Sequence, residues 1–127
     1  MLVDEYHATV ASLSRGVALV SVSGELDLYT GERLREAIGE ATSVGADTVL
    51  LDLSGVGFVD SAALGVIVQE TKRLEGRGVA LLLVTDDPRT LRVLEVTGLD
   101  RVIRRHATLH DALSTHLPQA RAELAAS

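Results

Sequence analysis

Two apolar runs constrain this chain more than any other feature: Val49-Leu50-Leu51-Asp52-Leu53 and Val79 to Val84. Between them Leu64, Ile67, Val68, Thr71 and Leu74 recur at helical spacing. A short run apolar at nearly every position fits a strand covered on both faces, whereas spacing near 3.6 fits a helix with one buried stripe. Strand, helix and strand in succession call for parallel pairing through a right-handed crossover. The predicted fold class is therefore α/β.

The rest of the chain fills in around that unit. Tyr6 to Arg15 and Val17 to Gly24 read as two strands joined at Arg15-Gly16, an antiparallel N-terminal hairpin. Leu34, Ala37, Ile38 and Ala41 mark a first helix, capped by Asp27 or Thr30 and ending near Gly45. A second helix spans about Ser61 to Gly76. Asp87-Pro88 opens a third, buried through Leu91, Leu94 and Val96 and stopped at Gly98. Val102-Ile103 is predicted as a short strand, and Thr108 with Asp111 as the capping pair of a last helix reaching Leu117. Pro118 closes that element, and the residues after it read as a short tail. All 127 residues are expected to form one domain with its core between about 6 and 117.

Composition narrows the function. A net charge of -6 and 2% aromatic content leave neither an electrostatic footprint nor stacking platforms for nucleic acid. Cysteine is absent, which removes disulfides, thiolate metal sites and cysteine nucleophiles. The opening residues Met1 to Glu5 are acidic and lack a signal-peptide layout, and no apolar run approaches the ~20 residues a membrane span needs. A cytoplasmic protein with no membrane partner is expected.

Ser61 is the residue with chemical promise. It follows Asp60 at the junction between the Val49–Leu53 strand run and the second helix, a place where free N–H groups and the helix dipole tolerate negative charge. Capping is the ordinary role of Asp and Ser there. A hydrolase nucleophile is disfavoured, because V-D-S-A-A is no G-x-S-x-G elbow and His7, His106, His110 and His116 lack motif context. His106 and His110 are read as surface residues rather than metal ligands, with Asp111 a cap. Gly55 and Gly57, flanking Val56 in a loop, have no Walker lysine after them.

Three motifs carry a family resemblance. The segment L-D-L-S-G-V-G-F-V-D-S-A-A-L-G-V-I, ending at Ile67, resembles the signature of anti-sigma factor antagonists, small proteins of the STAS fold. Gly24-Glu25-Leu26-Asp27 with Thr30 is similar to their G-E-L-D-x-x-T, and Val93 to Leu99 to their V-L-E-x-T-G-L. One departure is Ala62-Ala63, where the best-known members have serine and glycine.

The resemblance implies a STAS-like mixed β-sheet with an N-terminal antiparallel hairpin and four helices packed on it. It implies a phosphoprotein that regulates transcription in a stress response by partner switching, and not an enzyme. Ser61 would be the phosphorylated residue, and Asp27, Thr30, Asp60, Ser61, Ala62 and Leu64 the partner-binding set. The partners would be an anti-sigma factor serine kinase, a histidine-kinase-like ATPase bringing its own ATP and Mg²⁺, and a serine phosphatase that resets the switch. The chain itself would need no cofactor. The alternative within the fold is a scaffold subunit of a signalling assembly, or an accessory of a lipid or anion transport system.

Overall fold

The computed structural model describes residues 5–14 and 16–117. Five strands form one sheet in chain order: β1 (His7–Ser14), β2 (Val17–Leu26), β3 (Thr48–Val59), β4 (Ala80–Val84) and β5 (Arg104–His106). β1 and β2 are antiparallel; β2–β3, β3–β4 and β4–β5 are parallel. The helices are α1 (Gly31–Ser43), α2 (Ser61–Glu75), α3 (Pro88–Thr97) and α4 (Leu109–His116). This is the mixed sheet with a leading hairpin and four helices that the pattern implied. Arg15, at the hairpin turn, and the tail after Leu117 lie outside the described residues.

Alternation along the central strands splits the core in two. Val49, Leu51, Leu81 and Leu83 face α1, α2 and α3, whereas Leu50, Leu82 and Val84 face α4 alone. Leu50 and Leu51 are both fully buried, which is why β3 tolerates no polar alternation there.

The structure departs from the sequence reading at four places. β3 does not end at Leu53 but continues to Val59, with register shifts against β2 between Ser21/Ser23 and Gly24/Glu25. Each shift inserts an extra residue in β3, so Gly55 and Gly57 lie in a bulged strand and not in a phosphate-cradling loop. The last strand is Arg104–His106 rather than Val102-Ile103, because a 3₁₀ turn occupies Leu99–Arg101 and Ile103 drops into the core. Val96 is 76% exposed and does not bury α3. Finally, Thr30 stands at the N-cap of α1 without a side-chain cap bond, and Asp27 serves the turn before the helix.

α3 begins and ends as read, and α4 begins as read but stops at His116, one residue before Leu117. The Asp87 carboxylate accepts from the N–H of Arg89, with Pro88 at the first helical position, and Gly98 closes α3 at φ 75°. Thr108 caps α4 by accepting from the Asp111 N–H.

Candidate functional site

The C-terminal ends of the parallel strands bring the candidate residues together. β2 and β3 pair through Leu26 and Val59, and the next N–H, that of Asp60, donates to the Leu26 carbonyl at 3.0 Å. Asp27 and Asp60 therefore leave adjacent strands at the same edge. Asp60 then turns extended (φ -91°, ψ 173°), and its carboxylate accepts from the Ala63 N–H at 2.8 Å as the N-cap of α2.

Ser61 is the first residue of α2 and is exposed. Two of the four leading N–H groups are taken, Asp60 by Leu26 and Ala63 by the cap. Those of Ser61 and Ala62 have no carbonyl one turn back to meet. The first turn of α2 carries no acidic residue. An anion on the Ser61 hydroxyl would face open donors and the positive end of the dipole.

The substituted pair Ala62-Ala63 divides between surface and core. Ala63 is fully buried against the sheet, and only Ala62, half-buried, reaches the face beside Ser61. Leu64 is 1% exposed and packs in the core, so its expected place in a partner-binding set is corrected: it opens the buried stripe that Ile67 and Thr71 continue along α2.

The turn from β2 to α1 is closed by its own polar atoms. The Asp27 carboxylate accepts from the N–H groups of Tyr29 and Thr30, both at 2.9 Å. The Thr30 hydroxyl accepts from the Asp27 N–H at 2.8 Å and donates to the Glu25 carbonyl at 3.1 Å. The Thr30 N–H, helped by the Thr30 hydroxyl and the Tyr29 N–H, holds the Asp27 carboxyl below the usual carboxylate range. Just upstream, Gly24 has φ 93°, and a Cβ there would run into the Glu5 carbonyl. Asp27 and Thr30 of the motif thus build the turn, and Gly24 permits the close approach of β2 to Glu5.

Several features escaped the sequence reading. Leu28, Tyr29 and Phe58 are 66%, 84% and 49% exposed at this end of the molecule. Arg89 reaches across from α3 to the Gly57 carbonyl at 2.8 Å, placing a cation beside the end of β3. Glu70, on the inner side of α2, is fully buried between Arg73 (2.9 Å to each carboxylate oxygen) and Arg35 of α1 (3.2 Å). His106 does not associate with His110; its Nε2 lies 3.1 Å from that of His116, and both rings are half-buried. Only Glu70 left a trace in the sequence, as an acid three residues before an arginine on a helix.

The sequence and the fold both resemble those of known proteins. A model of the STAS domain matches residues 9–112. The anti-sigma-F factor antagonist RsfB of Mycobacterium tuberculosis is 37% identical over 111 residues, covering 87% of this chain and 89% of RsfB. An anti-sigma-B factor antagonist of Listeria monocytogenes is 39% identical over 85 residues, 66% of this chain and 74% of that protein. Among solved structures, an anti-sigma factor antagonist from Mycobacterium paratuberculosis superposes with a TM-score of 0.77 at 34% identity, covering 88% of this chain and 94% of the other. No helix among the described residues is long and apolar enough to cross a membrane.

Proposed function

This chain belongs to the STAS domain family, in its anti-sigma factor antagonist group, and we propose that it works by partner switching with Ser61 as the switch. The protein is a regulatory binding protein and not an enzyme. Unphosphorylated, the face formed by Ser61, Ala62, Asp60 and the Asp27–Thr30 turn docks on a kinase-type anti-sigma factor in the cytoplasm and releases a sigma factor. That partner, a histidine-kinase-like ATPase, transfers a phosphoryl group from its own ATP to the Ser61 hydroxyl. A separate serine phosphatase removes it.

The observation that carries this reading is the position of Ser61, exposed at the first residue of α2 behind a cap already satisfied by Asp60. Phosphate there adds a charge of about −1.5 to −2 and three acceptor oxygens. Within the domain the open N–H groups of Ser61 and Ala62 accommodate that charge. At a desolvated interface beside Asp60 the same dianion loses its water and, where the partner sets no cation against Ser61, has no counter-charge. A buried, unmatched phosphate costs several kcal/mol, a loss of at least ~100-fold in affinity.

Phosphopeptide mapping after incubation with a kinase-type anti-sigma factor and ATP tests the assignment. Phosphate should appear on the peptide containing Ser61 and vanish in Ser61→Ala. A principal phosphate on Ser54 or Thr71 would overturn it.

A further inference from the structure

We infer that Leu28 and Tyr29 are the anchor pair by which the anti-sigma partner grips this protein, seated in an apolar slot rimmed by cations, and that Asp27 and Thr30 are positioning residues that hold the pair outward. The inference rests on the proposed partner-switching role and adds which side chains select the partner.

Exposure is the first argument. The whole chain has two tyrosines and one phenylalanine, and Tyr6 is largely buried. Tyr29 nevertheless stands 84% exposed beside Leu28 at 66%, in a turn next to the strand end that holds Asp60. Tyrosine supplies a large, rigid contact area for the loss of two torsions, which is why it is enriched among residues that dominate binding.

Rigidity is the second. The backbone on both sides of the pair is tied down: the carboxylate of Asp27 holds the N–H groups of Tyr29 and Thr30, and Thr30 closes onto Asp27 and Glu25. The Gly31 N–H donates to the Asp27 carbonyl at 3.0 Å. No ordering of the turn is left for the moment of binding, and preorganisation of that kind raises affinity.

Charge sets the chemistry of the partner. From Gly24 to Glu32 the chain carries Glu25, Asp27 and Glu32 and no lysine or arginine, in a molecule of net charge -6; Arg35 meets Glu32 at 3.5 Å, which leaves Glu25 and Asp27 to set the charge beside the pair. A basic rim around an apolar slot complements that surface, whereas a second copy of this acidic chain would meet like charge. The motif G-E-L-D-x-x-T fixes Asp27 and Thr30 and leaves open the two positions filled here by Leu28 and Tyr29.

The test uses the full chain and a purified kinase-type anti-sigma factor from the same genome, titrated in a calorimeter. Tyr29→Ser should lower affinity about 30-fold, the ~2 kcal/mol of a dominant interface residue at 1.4 kcal/mol per decade. Leu28→Ser should lower it less, with melting temperatures of both variants unchanged. Asp27→Asn keeps the acceptor oxygen for Tyr29 and Thr30 and should bind within a few-fold of wild type; Asp27→Ala loses it and should bind at least 10-fold more weakly. In a Tyr29→Ser background the Asp27→Ala loss should largely disappear, as expected for a residue that acts through its neighbour. Wild-type binding with Tyr29→Ser and Leu28→Ser both within twofold would overturn the anchor. Equal losses for Asp27→Asn and Asp27→Ala that persist without Tyr29 would make Asp27 a direct charge contact and overturn its positioning role. A change in self-association in place of partner affinity would reassign the pair to a contact between copies. No binding by the wild type to any such kinase would instead overturn the partner-switching role itself.

Discussion

The N–H of Asp60 donates to the carbonyl of Leu26 at 3.0 Å, and this bond registers the cap of α2 against the last residue of β2. It makes the Ser61 helix start and the Asp27 turn parts of one rigid edge. A partner that reads one is held in register with the other.

Ser61 should separate binding from stability. Asp60, not Ser61, is the cap, so Ser61→Ala should change folding stability by no more than ~0.5 kcal/mol. Ser61→Glu places an anion in the first turn and should stabilise by about 0.3–1 kcal/mol at low salt while weakening partner binding. Thermal melts alongside calorimetry check both. A Ser61→Glu protein that melts much earlier than wild type would mean that the helix start does not tolerate charge.

Gly24→Ala should destabilise by about 2 kcal/mol or more. The residue sits at φ 93°, and an added Cβ would meet the Glu5 carbonyl and lie 3.0 Å from the Tyr6 Cα. Both neighbours are backbone, so neither can rotate away. Urea unfolding measures the loss, and a variant as stable as wild type would contradict the close approach.

Glu70→Ala should cost about 2–3 kcal/mol, somewhat less than breaking a fully buried pair, because Arg35 and Arg73 are 33% and 37% exposed and can turn to water. The Arg73 hydrogen bonds, and after them the charge of Arg35, keep the Glu70 carboxyl below its usual range. Its contribution is present at neutral pH and drains only as the pH falls below about 4. The stability gap between Glu70→Ala and wild type in denaturant curves should narrow as the pH falls from 7 into the acid range. A gap that stays constant would assign Glu70 to packing alone.

Acid should act through His116 well before it reaches the carboxylates. Burial, and then the charge of His106, holds His116 below its ordinary value near 6.5. The unfolded chain therefore takes up its proton first, and the stability from the neutral ring, full above about pH 6.5, declines as the pH falls through that value. Melting temperature should drop between pH 7 and pH 5 in the wild type and less in His116→Gln. Parallel slopes would contradict this account.

Much of the fold was legible because its signals are local. Val49 to Leu53, the α2 stripe and Val79 to Val84 each report their own burial, and together they require the crossover that places Ser61 at a strand-to-helix junction. The extension of β3 was not legible: two bulges put Ser54 to Phe58 out of phase with any simple alternation. Glu70 was hidden because one of its two cations comes from another helix, 35 positions away in sequence. Leu28 and Tyr29 were hidden for a different reason. Two apolar residues in a short turn have no period, and only the bonds of Asp27 and Thr30 around them reveal that they point outward.

The most direct measurement is calorimetry of this protein against the kinase-type anti-sigma factor proposed as its partner, before and after stoichiometric phosphorylation of Ser61. The account predicts tight binding before and at least ~100-fold weaker binding after, with the melting temperature of the isolated protein nearly unchanged. Equal affinity of the two forms would contradict it.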